Sequence, residues 1–155
     1  MLTALIATLL LAQNPPPAAV EVLPADPATL KGLGRVEVRV AEGPATVVYA
    51  GVPLASILDR RAEPEAGMAG LRALSDAVIL VRGTDGYQAA VSAAAVAMDP
   101  KGERYLLALA RDGKPLGTGE GPVRLVVPGD PKHARWVKNV DAVRLVRLKM
   151  VVGSP

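Results

Sequence analysis

Val36-Glu-Val-Arg-Val40 sets valine at every second position with a charged residue between, the period of a strand that buries one face and leaves the other in water. Ala77-Val-Ile-Leu-Val81 is instead a continuous apolar run of strand length. It closes at the turn signal Gly83-Thr-Asp-Gly86, and Tyr87–Val91 then reads as the returning strand of a hairpin. Outward from these two stretches, Thr46–Tyr49 resumes the β pattern after Gly43-Pro44. Leu106–Ala110 and Val123–Val127 add strands separated by Asp112-Gly113 and by the loop Gly117-Thr-Gly-Glu-Gly-Pro122. In the last strand Val143 and Leu145 share one parity while Leu148 and Met150 share the other, which predicts a bulge near Val146. Helices are short. Asp26-Pro27 caps one that Gly32 closes, and Leu54, Ile57 and Leu58 predict another over Leu54–Arg61. Ser92 caps an alanine-rich helix to Met98, and Asp130-Pro131 starts a turn of helix through Trp136. Strands dominate and no strand–helix–strand rhythm appears, so the fold class is α+β: a mixed or antiparallel sheet with short helices.

The chain of 155 residues fits one domain, and half of it is hydrophobic, enough to exclude disorder. Aromatics make up only 3% and Phe is absent, so Val, Leu, Ile and Ala must build the core. With no cysteine the chain has no disulfide, no thiolate metal site and no cysteine nucleophile, and a single histidine excludes a His-rich metal centre. The net charge of +3 is uneven: residues 121–155 carry +5 and residues 1–120 carry −2. An anion therefore belongs with the C-terminal part. Nucleic acid does not suit a chain so poor in stacking aromatics.

Met1-Leu-Thr-Ala-Leu-Ile-Ala-Thr-Leu-Leu-Leu-Ala12 is an apolar run too short for a transmembrane helix, which needs about 20 residues. It matches a signal-peptide core, and Gln13–Ala19, with Pro15-Pro16-Pro17, reads as a stiff extended linker. The division expected is residues 1–19 as signal peptide and proline-rich linker and residues 20–155 as the folded domain, in a periplasmic or secreted protein.

Several local motifs have simpler readings than catalysis. Gly83–Gly86 and Gly117–Gly121 lack the Gly-x-x-x-x-Gly-Lys pattern and the strand–helix context that cradle a phosphate, so they read as turns. Asp85 beside Gly86 reads as a turn residue rather than a general base, and Ser92 as a helix cap rather than a nucleophile. His133, between Lys132 and Arg135, reads as exposed.

Five segments taken together say more. Tyr49-Ala-Gly-Val-Pro-Leu54 with Ile57-Leu58, Asp85-Gly-Tyr87 with Val91-Ser92, Leu106-Leu-Ala108 with Asp112-Gly-Lys-Pro-Leu116, Gly121-Pro-Val-Arg-Leu-Val-Val-Pro-Gly-Asp130, and Arg135-Trp-Val137 closely resemble, in order and spacing, the molybdopterin-binding domain of the sulfite oxidase family. The resemblance runs from about Val36 to Val146. It implies that the Gly-Pro-x-Arg strand and the basic-Trp-apolar segment lie near a pterin and its phosphate, which makes Arg124, His133, Arg135 and Lys138 the candidate cofactor-binding residues. Arg and Lys donors suit phosphate oxygens. A helix start at Pro128-Gly-Asp130, beside Lys132, would add aligned backbone dipoles to an anion site centred on Arg124 and Arg135. Trp136 reads as a packing residue.

Catalytic members hold molybdenum through a cysteine on the loop after the first core strand, a slot that falls near Val40–Gly43, where this chain offers Val40, Ala41, Glu42 and Gly43. Soft metal chemistry favours sulfur there, and Glu42 is a poor substitute. Molybdopterin is thus implied by resemblance, while no molybdenum ligand is assigned. Three functions stay open: a non-catalytic exported module that binds an anionic small molecule or a redox or other partner protein; a molybdenum-cofactor oxidoreductase with non-cysteine ligation; and a structural subunit docking through a sheet edge.

Overall fold

Alternating valines and continuous apolar runs become two antiparallel sheets in the computed structural model, which describes residues 19–58 and 67–149. In chain order the elements are β1 (Val20–Leu23), α1 (Pro27–Lys31), β2 (Val36–Glu42), β3 (Ala45–Pro53), α2 (Leu54–Leu58), α3 (Met68–Ala73), β4 (Ala77–Gly83) and β5 (Gln88–Ser92). They continue with α4 (Ala93–Ala97), β6 (Leu106–Arg111), β7 (Lys114–Pro115), β8 (Arg124–Val126), a single 3₁₀ turn (Pro131–His133) and β9 (Val140–Arg147). One sheet runs β1-β9-β4-β5. The other runs β2-β3-β6, with β7 and β8 both paired to β6. Each recorded pairing is antiparallel, which narrows the mixed-or-antiparallel expectation. The expected signal segment lies, but for Ala19, outside the described residues.

One buried cluster takes in Val40, Val47 and Leu107 from one sheet and Ile79, Val81, Val143 and Leu145 from the other. In β4 the buried residues alternate, Ala77, Ile79 and Val81 inward, although the run is apolar throughout, because its neighbour β9 turns Val143 and Leu145 to the same side. The turn chemistry follows the sequence. The Thr29 amide donates to the Asp26 carboxylate at 2.7 Å to start α1, and Gly32 ends it. The Ala95 amide donates to the Ser92 hydroxyl at 3.3 Å, and the Tyr87 amide to the Asp85 carboxylate at 2.9 Å. Both side chains therefore act as the cap and turn residues that their positions predict.

Three expectations need correction. The bulge near Val146 is absent: β9 stays in register with β4 and β1 through Val146, and the parity break at Leu148 arises because the strand ends at Arg147. The irregularity in β9 lies instead at Asp141, where Arg82 faces Ala142 and Gly83 faces Val140. The helix from Asp130 to Trp136 is only the 3₁₀ turn, because Lys132 and His133 both adopt left-handed backbone angles, φ 54° each. Asp130 does not cap it, since its carboxylate is engaged elsewhere. Of the helix expected over Leu54–Arg61, α2 accounts for Leu54–Leu58, and Asp59–Arg61 lie outside the described residues. Strands β1 and β7 and helix α3 have no counterpart in the sequence reading.

The register shift between Ala50 and Gly51 brings β3 so close to β6 that a Cβ on Gly51 would stand 2.1 Å from the Leu107 carbonyl oxygen. Backbone cannot yield as a flexible side chain can. Gly51→Ala is expected to cost about 3 kcal/mol of unfolding free energy. The control Gly34→Ala, which meets nothing within 4 Å, is expected to stay within about 0.5 kcal/mol of the parent. Urea unfolding of the two variants measures both.

Candidate functional site

Arg124 opens β8 at the centre of the segment that the sequence singles out, and its side chain is 7% exposed. A guanidinium so buried must be met by carboxylates or other acceptors. Its Nη1 donates to Glu120 Oε1 at 2.5 Å and to the Tyr49 hydroxyl at 3.2 Å. Tyr49 in turn donates to Glu42 Oε1 at 2.6 Å. Arg111, at the end of β6, closes the ring by donating to Glu42 Oε2 at 3.1 Å and to Glu120 Oε1 at 3.2 Å. Two guanidiniums and two carboxylates thus cancel, with a phenol as the fifth member. The Arg124 guanidinium also lies 5.0 Å from the Trp136 ring and 5.8 Å from that of Tyr49, within cation–π range. Its Nε has no hydrogen-bond partner. Burial pushes the Tyr49 phenol above its ordinary pKa, and the bond to Glu42 adds to the shift, so the ring holds a neutral phenol that donates.

The second part of the site is the loop after β8. Trp136 is buried, donates from Nε1 to the Val127 carbonyl at 2.8 Å, and meets Tyr49 edge to face at 5.8 Å. It is the packing residue that the sequence predicts. His133 stacks on its indole, with centroids 3.9 Å apart and planes 13° from parallel. Asp130 is buried and receives the Arg135 amide at 2.7 Å and Arg135 Nε at 2.8 Å, with Nη2 also donating to it at 2.5 Å. The Tyr87 hydroxyl donates to the Ala134 carbonyl, so the β4–β5 hairpin buttresses this loop. Lys132 and Lys138 are exposed.

Of the four residues expected at a cofactor, Arg124 and His133 come together on Trp136. Arg135 is turned onto Asp130, and Lys138 points into solvent beyond them. The two guanidiniums meant to centre an anion site are each neutralised by a carboxylate of the chain itself. A one-turn 3₁₀ segment supplies no row of aligned dipoles in place of the expected helix start. Sequence reasoning missed Arg111 and Glu120 altogether. Glu42 and Tyr49 carried a readable signal, since strand parity puts Glu42 on the face of buried Val40, and in β3 Tyr49 on that of buried Val47.

The family model for the oxidoreductase molybdopterin binding domain matches residues 32–149. The chain belongs to that family. No curated protein matches it. The α+β architecture found here, two antiparallel sheets with short helices, is consistent with that family's fold. Its metal finds no thiolate in this chain and no cluster of ligands among the described residues, however. The chain contains no cysteine, and the Glu42 carboxylate in the slot that the resemblance marks is held by Tyr49 and Arg111. Among the described residues no three His, Asp or Glu side chains gather to hold an ion. Molybdenum does not fit this donor set.

Hydrogen bonds from the Arg135 side chain hold the Asp130 carboxyl below its ordinary pKa, and the same contact raises that of Arg135. A carboxylate with a depressed folded-state pKa contributes stability that is complete above its unfolded value, about 3.9, and is lost as the pH falls through the folded value. The parent is expected to be more stable than Asp130→Asn at neutral pH, with the gap closing below about pH 4. Urea midpoints of the two proteins from neutral to acid pH measure this.

Proposed function

We propose that this chain is an exported module of the molybdopterin-binding family that does not carry out molybdenum oxygen-atom transfer and that docks, through the basic loop Lys132–Lys138, on an acidic partner surface. One observation carries the non-catalytic half. The ring of Glu42, Arg111, Glu120, Arg124 and Tyr49 already engages Arg124, its one cofactor-binding candidate, and Glu42, the only acid in the metal slot. The docking half is supported by Lys132, His133 and Lys138, which are exposed and form no ion pair with a described residue. The clefts around Lys31 and Arg35, around Asp26 and Arg82, and around Leu80 and Arg144 do not include Arg124, His133, Arg135 or Lys138. Exposed lysines outside these clefts suit a protein surface better than an enclosed small molecule. No helix among the described residues is long and apolar enough to cross a membrane.

Protein purified from cells that synthesise the molybdenum cofactor is expected to carry no stoichiometric molybdenum and to release no pterin fluorescence on denaturation. A metal-to-protein ratio near one would establish instead an oxidoreductase with non-cysteine ligation. Export rests on the apolar Leu2–Ala12 run and the proline stretch after it. In a native host the mature chain is expected to begin after Ala12 or near Val20 and to lie outside the cytoplasm. Intact Met1 recovered from cytosol overturns the export reading.

A further inference from the structure

Two cations of the first 40 residues are placed differently from those of the C-terminal loop. Lys31, the last residue of α1, and Arg35, just before β2, line a cleft of about 330 Å³ and form no ion pair with a described residue. Its apolar floor is made by Leu109 and Ala110 of β6, both buried, with Leu116 beside them. Its walls include Pro27, Pro115 and Pro122. Prolines have no side-chain rotamers to lose and no N–H to offer, so the cleft is preformed and its charged donors are the two cations.

No acid lines this cleft. Of the acids near it in sequence, Glu37 is exposed and does not line the cleft, and three others are committed elsewhere. Asp26 Oδ1 accepts the Thr29 amide, Asp112 Oδ1 accepts the Val48 amide at 2.9 Å, and Glu120 belongs to the arginine ring. Lys31 and Arg35 therefore keep the charge that Arg124 and Arg135 have spent. A preformed, largely apolar hollow with two cations that pair with no described carboxylate, and no acid in its lining, selects an amphipathic anion. The volume sits at the low end of the roughly 300–1,000 Å³ typical of small-molecule sites.

We propose that this cleft binds a small monocarboxylate with an aliphatic body, the chain lying over Leu109, Ala110 and Leu116 and the carboxylate meeting Lys31 and Arg35. A carboxylate can accept from both cations at once, and Arg35 can meet it with two parallel N–H donors. The site is separate from the basic loop 132–138, and the proposal stands whether or not that loop docks on a partner.

The test uses the full chain and decanoate as probe, with decan-1-ol as the uncharged match, followed by calorimetry and amide NMR shifts at low ionic strength. Decanoate is expected to bind one saturable site and to perturb the amides of residues 31–35 and 109–116, with decanol about tenfold weaker or more. Added salt should weaken decanoate and leave decanol unchanged. The double variant K31Q/R35Q replaces two exposed side chains and so keeps the fold. It should weaken decanoate about tenfold or more while leaving decanol as it was. Leu116→Trp should block both by filling the hollow; if that variant misfolds, the charge variant alone decides. Absence of saturable decanoate binding, equal affinity for decanol, or decanoate binding untouched by K31Q/R35Q overturns the proposal.

Discussion

Burying the Arg124 guanidinium is the constraint around which one end of the five-stranded sheet is arranged. An uncompensated charge at that depth would cost several kcal/mol, so the chain must bring acceptors to it from other elements. Glu120 comes from the loop before β8, Tyr49 from β3, and Glu42, reached through Tyr49, from the end of β2. Arg111 at the end of β6 balances the second carboxylate. The ring therefore ties β2, β3, β6 and β8 together through polar side chains, in addition to their backbone ladders and the shared apolar cluster. Among the described residues the Arg124 Nε finds no acceptor, and there that satisfaction is incomplete.

That arrangement bears directly on function. The basic C-terminal part has a balance of +5, and charge alone points to an anion site there. Pairing redistributes it. Arg124 and Arg135 are neutralised by Glu120 and Asp130, which leaves Lys132, His133 and Lys138 as the exposed basic surface. The N-terminal part, which is net acidic, nonetheless contributes the two cations that face an apolar cleft without a carboxylate. Net charge by segment does not show which cations are paired within the fold. What matters is which cations the fold leaves unpaired.

Much of the fold was legible because its signals are local. The Asp26 and Ser92 caps, the Asp85 turn and the alternation of β2 each depend on residues within a few positions of one another, and each forms as its pattern predicts. The misses have physical causes as well. The expected helix at Asp130-Pro131 fails because Asp130 binds Arg135 more fully than it could bind a helix N-terminus, and because Lys132 and His133 turn left-handed. The parity change near Val146 is the end of a strand rather than a bulge, and a parity count cannot tell those two apart. Strand β7, two residues long, exists only through its pairing with β6.

The sequence by itself determined the α+β class, the aliphatic core, the absence of any thiolate ligand and, through five motifs in register, membership of the molybdopterin-binding family. Composition and short-range spacing are enough for these because each depends on residue identity or on neighbours in the chain. The tertiary structure alone decided which charges remain available. Glu42 and Arg111 are 69 positions apart, and Tyr49 and Arg124 are 75 apart, yet each pair is in hydrogen-bond contact. The same holds for the cleft, whose cations come from α1 and the turn before β2 while its floor comes from β6. Ion pairing and cavity shape depend on distances between strands that only the closed sheets establish, and no pattern along the chain encodes them.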